Sequence, residues 1–255
     1  MEVAVVTVGD EILAGQTVNT NAAWLGKELR ERGASVERMT TVPDKTSDIA
    51  EVVNEFHARY DGVIVTGGLG PTHDDVTMEG IAAAFGTELA ADDAVLDWLT
   101  TAGGYSADDL APETTHIPKR ATMIRNPEGV APGCQIDTVY VLPGVPTEMK
   151  AMFALIADEF SGQQRYTETV IAAEPESTLL ERIGTVRKRF PVTVGSYPGE
   201  HVRLRLEGTD KQQVTDAATW LRERVEKPED VRDRETDRTH DTDTESGTEP
   251  DTGCN

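Results

Sequence analysis

The sequence predicts an α/β protein in two domains followed by an acidic tail. Over residues 1–161, apolar β-branched runs alternate with helical patterns, which is typical of a layered α/β domain. A shorter β-α-β-β-α pattern covers residues 162–227 and favours a compact α+β domain. Residues 228–255 hold ten acidic and three basic residues and only one large aliphatic side chain. Because such a segment cannot bury enough apolar surface to order itself, we expect residues 228–255 to be disordered.

The first elements follow from local chemistry. Val3–Val8 is a continuous apolar run, as expected of a strand that is buried on both faces. Asn19 and Asn21 offer capping side chains to a helix that runs to Arg32, and Gly33 ends it. The remaining predicted elements of this domain are strand Ser35–Val42, a helix from Thr46 or Ser47 with Ile49, Val52, Val53 and Phe56 on one face, strand Gly62–Val65, helices Thr77–Phe85 and Asp92–Thr100, an irregular stretch 103–120, strands Ala121–Arg125 and Thr138–Leu142, and helix Thr147–Phe160.

The second domain is predicted from the same signals. Apolar alternation and helical spacing change at short polar or glycine-containing stretches, and Pro198-Gly199 marks the turn of a hairpin. The predicted elements are strand Tyr166–Ala172, helix Ser177–Phe190, strands Val192–Ser196 and His201–Leu206, and helix Asp210–Glu226.

Composition excludes several classes of function. Acidic residues number 46 against 24 basic residues, a net charge of −22, and only 7 of the basic residues are lysine. A surface this acidic repels nucleic acid and anionic membranes, so neither is an expected partner. The acidic, lysine-poor composition also indicates a high-salt cytoplasm, where salt screens self-repulsion.

The cysteine content and the N-terminus point to a cytoplasmic protein. Cys134 and Cys254 are the two cysteines, so neither a disulfide framework nor a thiolate metal site is indicated. The chain enters a predicted strand at once, without the features of a signal peptide. No apolar run approaches the length of a membrane span.

The most informative segment is the glycine-rich turn between the strand that ends near Thr66 and the helix that begins at Thr77. Glycines let backbone N–H groups approach an anion closely, and the helix N-terminus adds its dipole. Asp74 and Asp75 lie in this turn, where a divalent cation would bridge carboxylates to phosphates. The alternative is that the glycines serve only a tight turn and that Asp75 or Thr77 caps the helix. The full segment reads Thr66-Gly67-Gly68-Leu69-Gly70-Pro71-Thr72-His73-Asp74-Asp75-Val76-Thr77.

Other polar segments also stand at predicted strand ends or helix starts. The carboxyl ends of parallel strands form the ligand crevice of open α/β sheets, so the turns after residues 8, 65 and 142 should share one edge. The simpler alternatives are that Asp10 and Asp44 are ordinary loop acids and that Asn19 and Asn21 are caps only. The segments are Gly9-Asp10-Glu11-Ile12-Leu13-Ala14-Gly15, Asn19-Thr20-Asn21, Asn126–Gly133 and Leu142–Lys150. Motifs for nucleophilic serine, zinc-protease or P-loop chemistry do not occur in the sequence.

Together these motifs resemble the CinA family (competence/damage-inducible protein A). The motifs are Gly-Asp-Glu-Ile-Leu-x-Gly, Asn-Thr-Asn, Thr-Gly-Gly-Leu-Gly-Pro-Thr-x-Asp-Asp-x-Thr, Asn-Pro-x-Gly-x-Ala-Pro-Gly and Leu-Pro-Gly-Val-Pro-x-Glu-Met, in that order. More broadly, the first 160 residues resemble the molybdopterin-binding domain shared with MoaB, Mog and the middle of MoeA. The resemblance implies a three-layer α/β/α fold with a nucleotide or pterin-phosphate site at the glycine turn, followed by the small domain found in CinA proteins.

Two activities are implied by the relatives. CinA-type domains are linked to metal-dependent hydrolysis of ADP-ribose and similar nucleotide diphosphates, our leading hypothesis, and Mog-type domains adenylylate molybdopterin with ATP and magnesium. A non-catalytic module that binds a nucleotide or pterin is the third hypothesis. The chain departs from the family at Pro112–Pro118, where an Asn-x-x-Gln-Ala segment is usual, and it shows no resemblance to the amidohydrolase domain at the end of full-length bacterial CinA.

The resemblance implies a role for each motif residue. The two aspartates important in Mog-like enzymes fall on Asp44 and Asp75. Glu148 is a weaker candidate for a base or metal ligand, and Lys150 is a weaker candidate for a phosphate contact. The alternative is that Glu148 and Lys150 are plain helix-surface charges. The expected metal ligands are Asp10, Asp74 and Asp75, and the expected catalytic residues are Asp44, Asp75 and Glu148. The expected substrate or phosphate contacts are Gly9, Asn19, Asn21, Thr66, Gly67, Gly68, Gly70, Pro71, Thr72, Thr77, Gly133, Pro143, Gly144 and Lys150. The expected cofactor is a divalent metal such as Mg²⁺, with molybdopterin as the alternative ligand, and self-association is expected by analogy.

Overall fold

The computed structural model describes residues 1–101, 103–106, 110 and 112–228. The chain divides into two compact units, the first of which ends at Gln164. The strands of the first unit are β1 (Glu2–Val8), β2 (Ser35–Val42), β3 (Gly62–Thr66), β4 (Leu89–Ala91), β5 (His116–Pro118), β6 (Thr122–Ile124), β7 (Gly133–Ile136) and β8 (Val139–Leu142). Its helices are α1 (Asp10–Leu13), α2 (Thr20–Glu31), α3 (Thr46–Arg59), α4 (Thr77–Ala84), α5 (Asp93–Thr101) and α6 (Pro146–Ile156).

A six-stranded sheet in the order β2-β1-β3-β8-β7-β6 forms the centre of the first unit. The pairs β1–β2, β1–β3 and β3–β8 are parallel, whereas β7 pairs antiparallel with both β8 and β6. Because four adjacent strands are parallel, their carboxyl ends lie along one edge. The short strands β4 and β5 form a separate antiparallel pair.

Helices cover both faces of this sheet, which confirms the three-layer α/β/α architecture. On one face, Leu25 and Leu29 of α2 pack with Met152 and Phe153 of α6 against alternate residues of the central strands. The opposite face carries residues of α3, α4 and α5, which enclose the other set of strand side chains. The central strands are therefore buried on both faces, as the continuous apolar run at Val3–Val8 predicts.

Some elements differ from those expected from the sequence. The sequence predicts an irregular stretch at 103–120, yet β5 lies within it and pairs with β4. Neither strand is predicted, because three residues are too few for a recognisable alternation. The sequence also does not predict β7, which begins at Gly133 within the predicted Pro/Gly turn. Helix α6 ends at Ile156 and continues as a 3₁₀ turn to Glu159, so it is shorter than predicted.

The second unit begins at Arg165 and has the predicted β-α-β-β-α order. Strands β10 (Thr193–Tyr197) and β11 (Val202–Gly208) form the expected hairpin, and β11 also pairs antiparallel with β9 (Tyr166–Ala172). Asp210 caps the last helix by accepting hydrogen bonds from the backbone N–H groups of Gln212 and Gln213 at 2.8 and 3.1 Å. The elements are β9 (Tyr166–Ala172), α7 (Glu176–Arg189), β10 (Thr193–Tyr197), β11 (Val202–Gly208) and α8 (Lys211–Arg222). The predicted acidic tail lies outside the described residues from position 229 onward.

The helices of the described part of the chain are all too short or too polar to cross a bilayer.

Candidate functional site

The loops that follow β1, β3 and β8 meet at one edge of the sheet, as the sequence predicts. The Thr66 hydroxyl donates a hydrogen bond to the Pro143 carbonyl at 2.8 Å, and the Gly67 N–H donates to the Leu142 carbonyl at 3.1 Å. Loop β2–α3 joins them, since the Gly9 N–H donates to the Val42 carbonyl at 3.1 Å. Backbone pairing therefore fixes the positions of these loops before any ligand is present.

The glycine turn after β3 requires glycine at two successive positions. Gly67 has φ +108°, and a Cβ there would lie 2.2 Å from the Val8 carbonyl oxygen. Gly68 has φ +62°, and a Cβ there would lie 2.4 Å from Thr77 Oγ1 and 3.5 Å from Asp44 Oδ1. Since side chains at positive φ are strained, the turn combines a left-handed backbone with close approach to its neighbours.

A cavity of about 250 Å³ lies on one side of the glycine turn. Two asparagines of the Asn19-Thr20-Asn21 motif form part of its wall. Asn19 caps α2 by accepting from the Ala22 N–H at 3.0 Å and also donates to Thr7 Oγ1 at 2.9 Å, while Asn21 donates to the Gly144 carbonyl at 2.7 Å. The predicted site residues that line this cavity are Gly9, Asn19, Asn21, Asp44, Thr66, Gly67, Gly68, Asp74, Asp75 and Gly144. We name it the acidic cavity.

The acidic cavity concentrates carboxylates. Burial is the main cause that raises the pKa of Asp44, and the negative charges of Asp10, Glu11 and Asp74 raise it further, against a hydrogen bond from the Asp10 backbone N–H at 2.7 Å. Asp75 accepts hydrogen bonds from the Thr72 backbone N–H at 3.0 Å and from the Thr72 hydroxyl. Oδ2 of Asp75 is thus used to fix the turn.

A second cavity, of about 610 Å³, lies on the other side of the glycine turn. Gly68 and Asp75 border both cavities. The predicted residues Gly70, Pro71 and Thr72 line this second cavity together with apolar side chains and His116. The lining residues outside the segments that the sequence analysis singled out are Met78, Glu79, Leu89, Thr114 and His116. We name it the apolar cavity.

Two buried polar atoms lie beside the glycine turn without a hydrogen-bond partner among the described residues. They are Asn21 Oδ1 and Thr77 Oγ1, and the Thr77 side chain is fully buried under Gly68. Buried polar groups are normally satisfied, so Asn21, which lines the acidic cavity, offers an acceptor that a ligand or water would complete, whereas Thr77 lines neither cavity. Within the described ranges, no three His, Cys, Asp or Glu side chains are arranged to hold a metal by themselves.

Apart from the charged residues of α6, four predicted contact or metal residues lie outside both cavities, namely Asp10, Thr77, Gly133 and Pro143. Asp10 contributes its backbone N–H to Asp44 while Glu11, which follows it in the short helix α1, lines the acidic cavity instead. Gly133 begins β7 and packs against the Val141 backbone, because a Cβ at Gly133 would lie only 2.2 Å from the Val141 carbonyl oxygen. Pro143 is buried and contributes only its carbonyl, to Thr66.

The two charged candidates on α6 are also placed away from the cavities. The Lys150 ammonium lies 5.6 Å from the centre of the Trp24 ring, a cation–π distance. Glu148 accepts a hydrogen bond from Asn126 Nδ2 at 2.7 Å. Neither residue lines the acidic or the apolar cavity.

Sequence reasoning missed the part of the apolar cavity whose wall comes from the unpredicted strands β4 and β5. Leu89 lies on β4 and His116 lies on β5. The pairing of these two strands brings the two residues, 27 positions apart in the sequence, to the same cavity. Glu11 had a usable signal, since it belongs to the same Gly-Asp-Glu motif as Asp10, but sequence alone does not tell which carboxylate turns inward.

Comparison with known proteins identifies the family. Residues 4–161 match the family model described as a probable molybdopterin binding domain, and residues 164–233 match the model of the FAD synthase middle domain. A crystal structure titled as the protein CinA, of unknown function, from Thermoplasma acidophilum superimposes with a TM-score of 0.58 and 38% sequence identity, covering 62% of this chain and 97% of that one. The chain belongs to the CinA family.

Further relatives agree with this assignment. A protein of Archaeoglobus fulgidus is 36% identical over 225 residues, which are 88% of this chain and 97% of that protein. A CinA-like protein of Citrifermentans bemidjiense is 37% identical over 243 residues, which are 88% of this chain and 58% of that protein. The family therefore has a molybdopterin-binding-type domain, to which the two cavities of this chain belong, followed by a domain similar to the middle domain of FAD synthase.

Proposed function

We propose that this protein hydrolyses a nucleotide diphosphate such as ADP-ribose with the help of a divalent metal. The observation that supports the proposal most strongly is the glycine turn that separates an acidic cavity from an apolar one. A diphosphate seated on the turn would present its oxygens to backbone N–H groups at Gly68–Gly70, since the Gly67 N–H already donates to the Leu142 carbonyl. Its base would enter the apolar cavity, whose 610 Å³ lies within the range of roughly 300–1,000 Å³ typical of small-molecule sites.

The residues of the acidic cavity fit a divalent metal that binds together with its substrate. Mg²⁺ usually takes one or two carboxylates, with phosphates and water completing its shell, so a ready-made cluster of three ligands is not needed. Asp74 and Asp75 would hold the metal, and the unpartnered Asn21 Oδ1 would accept a hydrogen bond from a water molecule in the cavity. When bound, the metal would withdraw charge from the pyrophosphate.

The reaction would then be a hydrolysis of the anhydride. A water oxygen attacks one phosphorus, the bridging P–O bond breaks, and ADP-ribose yields AMP and ribose 5-phosphate. Asp44 faces the cavity beside Gly68 and is placed to orient the water and take its proton. Asp10, Glu148 and Lys150 are given no direct role, because none of them lines either cavity.

The test is a substrate panel. ADP-ribose, FAD, NAD and ATP are each incubated with Mg²⁺, Mn²⁺ or Co²⁺ in molar KCl, and AMP release is followed. We expect AMP from at least one nucleotide diphosphate and only with a metal. Absence of AMP from every substrate in a folded protein would refute the hydrolase proposal.

Adenylyl transfer to molybdopterin is the second candidate. The match of residues 4–161 to a probable molybdopterin binding domain favours it, and a pterin would occupy the apolar cavity. Pterin that stays bound through purification, together with ATP-dependent adenylylation of molybdopterin, would support this candidate over hydrolysis. Tight binding of a nucleotide or pterin without turnover under any metal would instead indicate a non-catalytic module. We also propose self-association, which light scattering coupled to size-exclusion chromatography measures directly.

A further inference from the structure

One wall of the apolar cavity is a loop without regular structure. Residues 126–132 connect β6 to β7, and Val130, Ala131 and Pro132 line the cavity. A ligand in this cavity would touch the loop, so the position of the loop sets the width available to the ligand. We name residues 126–132 the wall loop.

Asn126 holds the wall loop from within. Its side chain is 1% exposed, and its Nδ2 donates to the Ala131 carbonyl at 2.9 Å and to Glu148 Oε2 at 2.7 Å. Its Oδ1 accepts from the Glu128 backbone N–H at 3.2 Å. A single buried amide therefore joins the beginning of the loop to its end and joins both to helix α6.

Glu148 supplies the fixed end of this connection. It lies in the first turn of α6, whose Met149, Met152 and Phe153 are buried in the core, so the helix cannot follow a moving loop. Its carboxylate also lies directly over Gly129, where a Cβ would come within 2.5 Å of the carboxyl carbon.

We propose that Glu148 and Asn126 are positioning residues that set the width of the apolar cavity and thereby select the base-bearing part of the ligand. This inference deepens the proposed nucleotide-diphosphate function and rests on it for the identity of the ligand. Glu148 acts through Asn126 and the wall loop, whereas the diphosphate is held by the glycine turn. Loss of the connection therefore weakens binding of the base and leaves binding of a bare diphosphate intact.

The test compares two ligands across four variants. Binding of ADP-ribose and of inorganic pyrophosphate, each with Mg²⁺, is measured by calorimetry. Glu148→Ala and Asn126→Ala should lower the affinity for ADP-ribose at least 10-fold and change the affinity for pyrophosphate less than 2-fold. Glu148→Gln keeps an oxygen that accepts the Asn126 hydrogen bond, so it should restore most of the affinity for ADP-ribose. Glu159→Ala removes a carboxylate beyond the far end of the same helix and serves as the matched control.

Three binding results would overturn the inference. One is a Glu148→Gln variant as impaired as Glu148→Ala, which would mean that the charge itself is used. Another is an equal loss of affinity for ADP-ribose and for pyrophosphate in Glu148→Ala. The third is an unchanged affinity of Glu148→Ala for both ligands. Should Asn126→Ala not fold, Glu148→Ala decides alone, since Glu148 is only half-buried.

A readout without ligand separates this inference from the proposed function. If wild-type protein binds no ADP-ribose, the nucleotide proposal fails, and hydrogen exchange then judges the positioning role. Amide exchange at residues 128–131 should rise at least 10-fold in Glu148→Ala and stay at the wild-type rate in Glu148→Gln and Glu159→Ala. Unchanged exchange in Glu148→Ala would overturn the inference.

Discussion

Replacement of Gly68 by alanine tests whether the glycine turn is needed for ligand binding and turnover as well as for stability. A Cβ at Gly68 would lie 2.4 Å from Thr77 Oγ1, about 1 Å closer than the 3.4 Å at which ordinary contact begins. Thr77 is fully buried, so the turn gives way rather than the threonine. A displacement of about 1 Å in positioned groups can reduce an enzymatic rate by about 10²-fold, and we expect a loss of this order in AMP release and in affinity for ADP-ribose.

Gly86 provides the matched control for this substitution. It has φ +59°, close to the +62° of Gly68, and a Cβ there would meet no atom within 4 Å. Both alanine variants should therefore lose about 1–2 kcal/mol of stability from left-handed strain, measured by urea unfolding. Only Gly68→Ala should lose ligand binding in calorimetry with Mg²⁺. Equal ADP-ribose affinity in the two variants would refute the view that the turn cradles the diphosphate.

Three further predictions concern charge. Burial and neighbouring carboxylates raise the pKa of Asp44 above 3.8, so protonated Asp44 contributes free energy of folding at low pH, and this contribution is lost as the pH rises through the folded-state pKa. Asp44→Asn should therefore raise the melting temperature at pH 7, and the increase should shrink toward pH 4. Arg182 lowers the pKa of Glu174 below 4.5, so Glu174→Gln should cost about 1–3 kcal/mol above that pH, and urea unfolding should show the difference from wild type fading on acidification. With a net charge of −22, the wild-type melting temperature should rise between low and molar KCl, and a flat response would contradict salt adaptation.

The parts of the site that the sequence predicts are those formed by short segments. Gly67 and Gly68 are recognisable because a strand, a glycine turn and a helix follow one another, and the local backbone alone determines their conformation. Asn19 is recognisable as a cap for the same reason, and it does cap α2.

The parts that the sequence did not predict depend on distant pairing. The apolar cavity needs β4 to pair with β5, and neither three-residue strand has a periodic signal. The partner of Glu148 is Asn126, 22 residues earlier, and nothing in either segment indicates the hydrogen bond between them. A helix-surface carboxylate and a connecting carboxylate look alike in sequence, because burial and partner, which distinguish them, arise only in the fold.

The most direct test of the proposed chemistry is AMP release from ADP-ribose by wild-type protein and by Asp75→Asn, with Mg²⁺ in molar KCl. Asparagine keeps an oxygen that can accept the Thr72 hydrogen bonds but removes the charge that would hold the metal. We predict AMP release by the wild type and none by Asp75→Asn, with both proteins unfolding at similar urea concentrations. Full activity in Asp75→Asn would contradict the account.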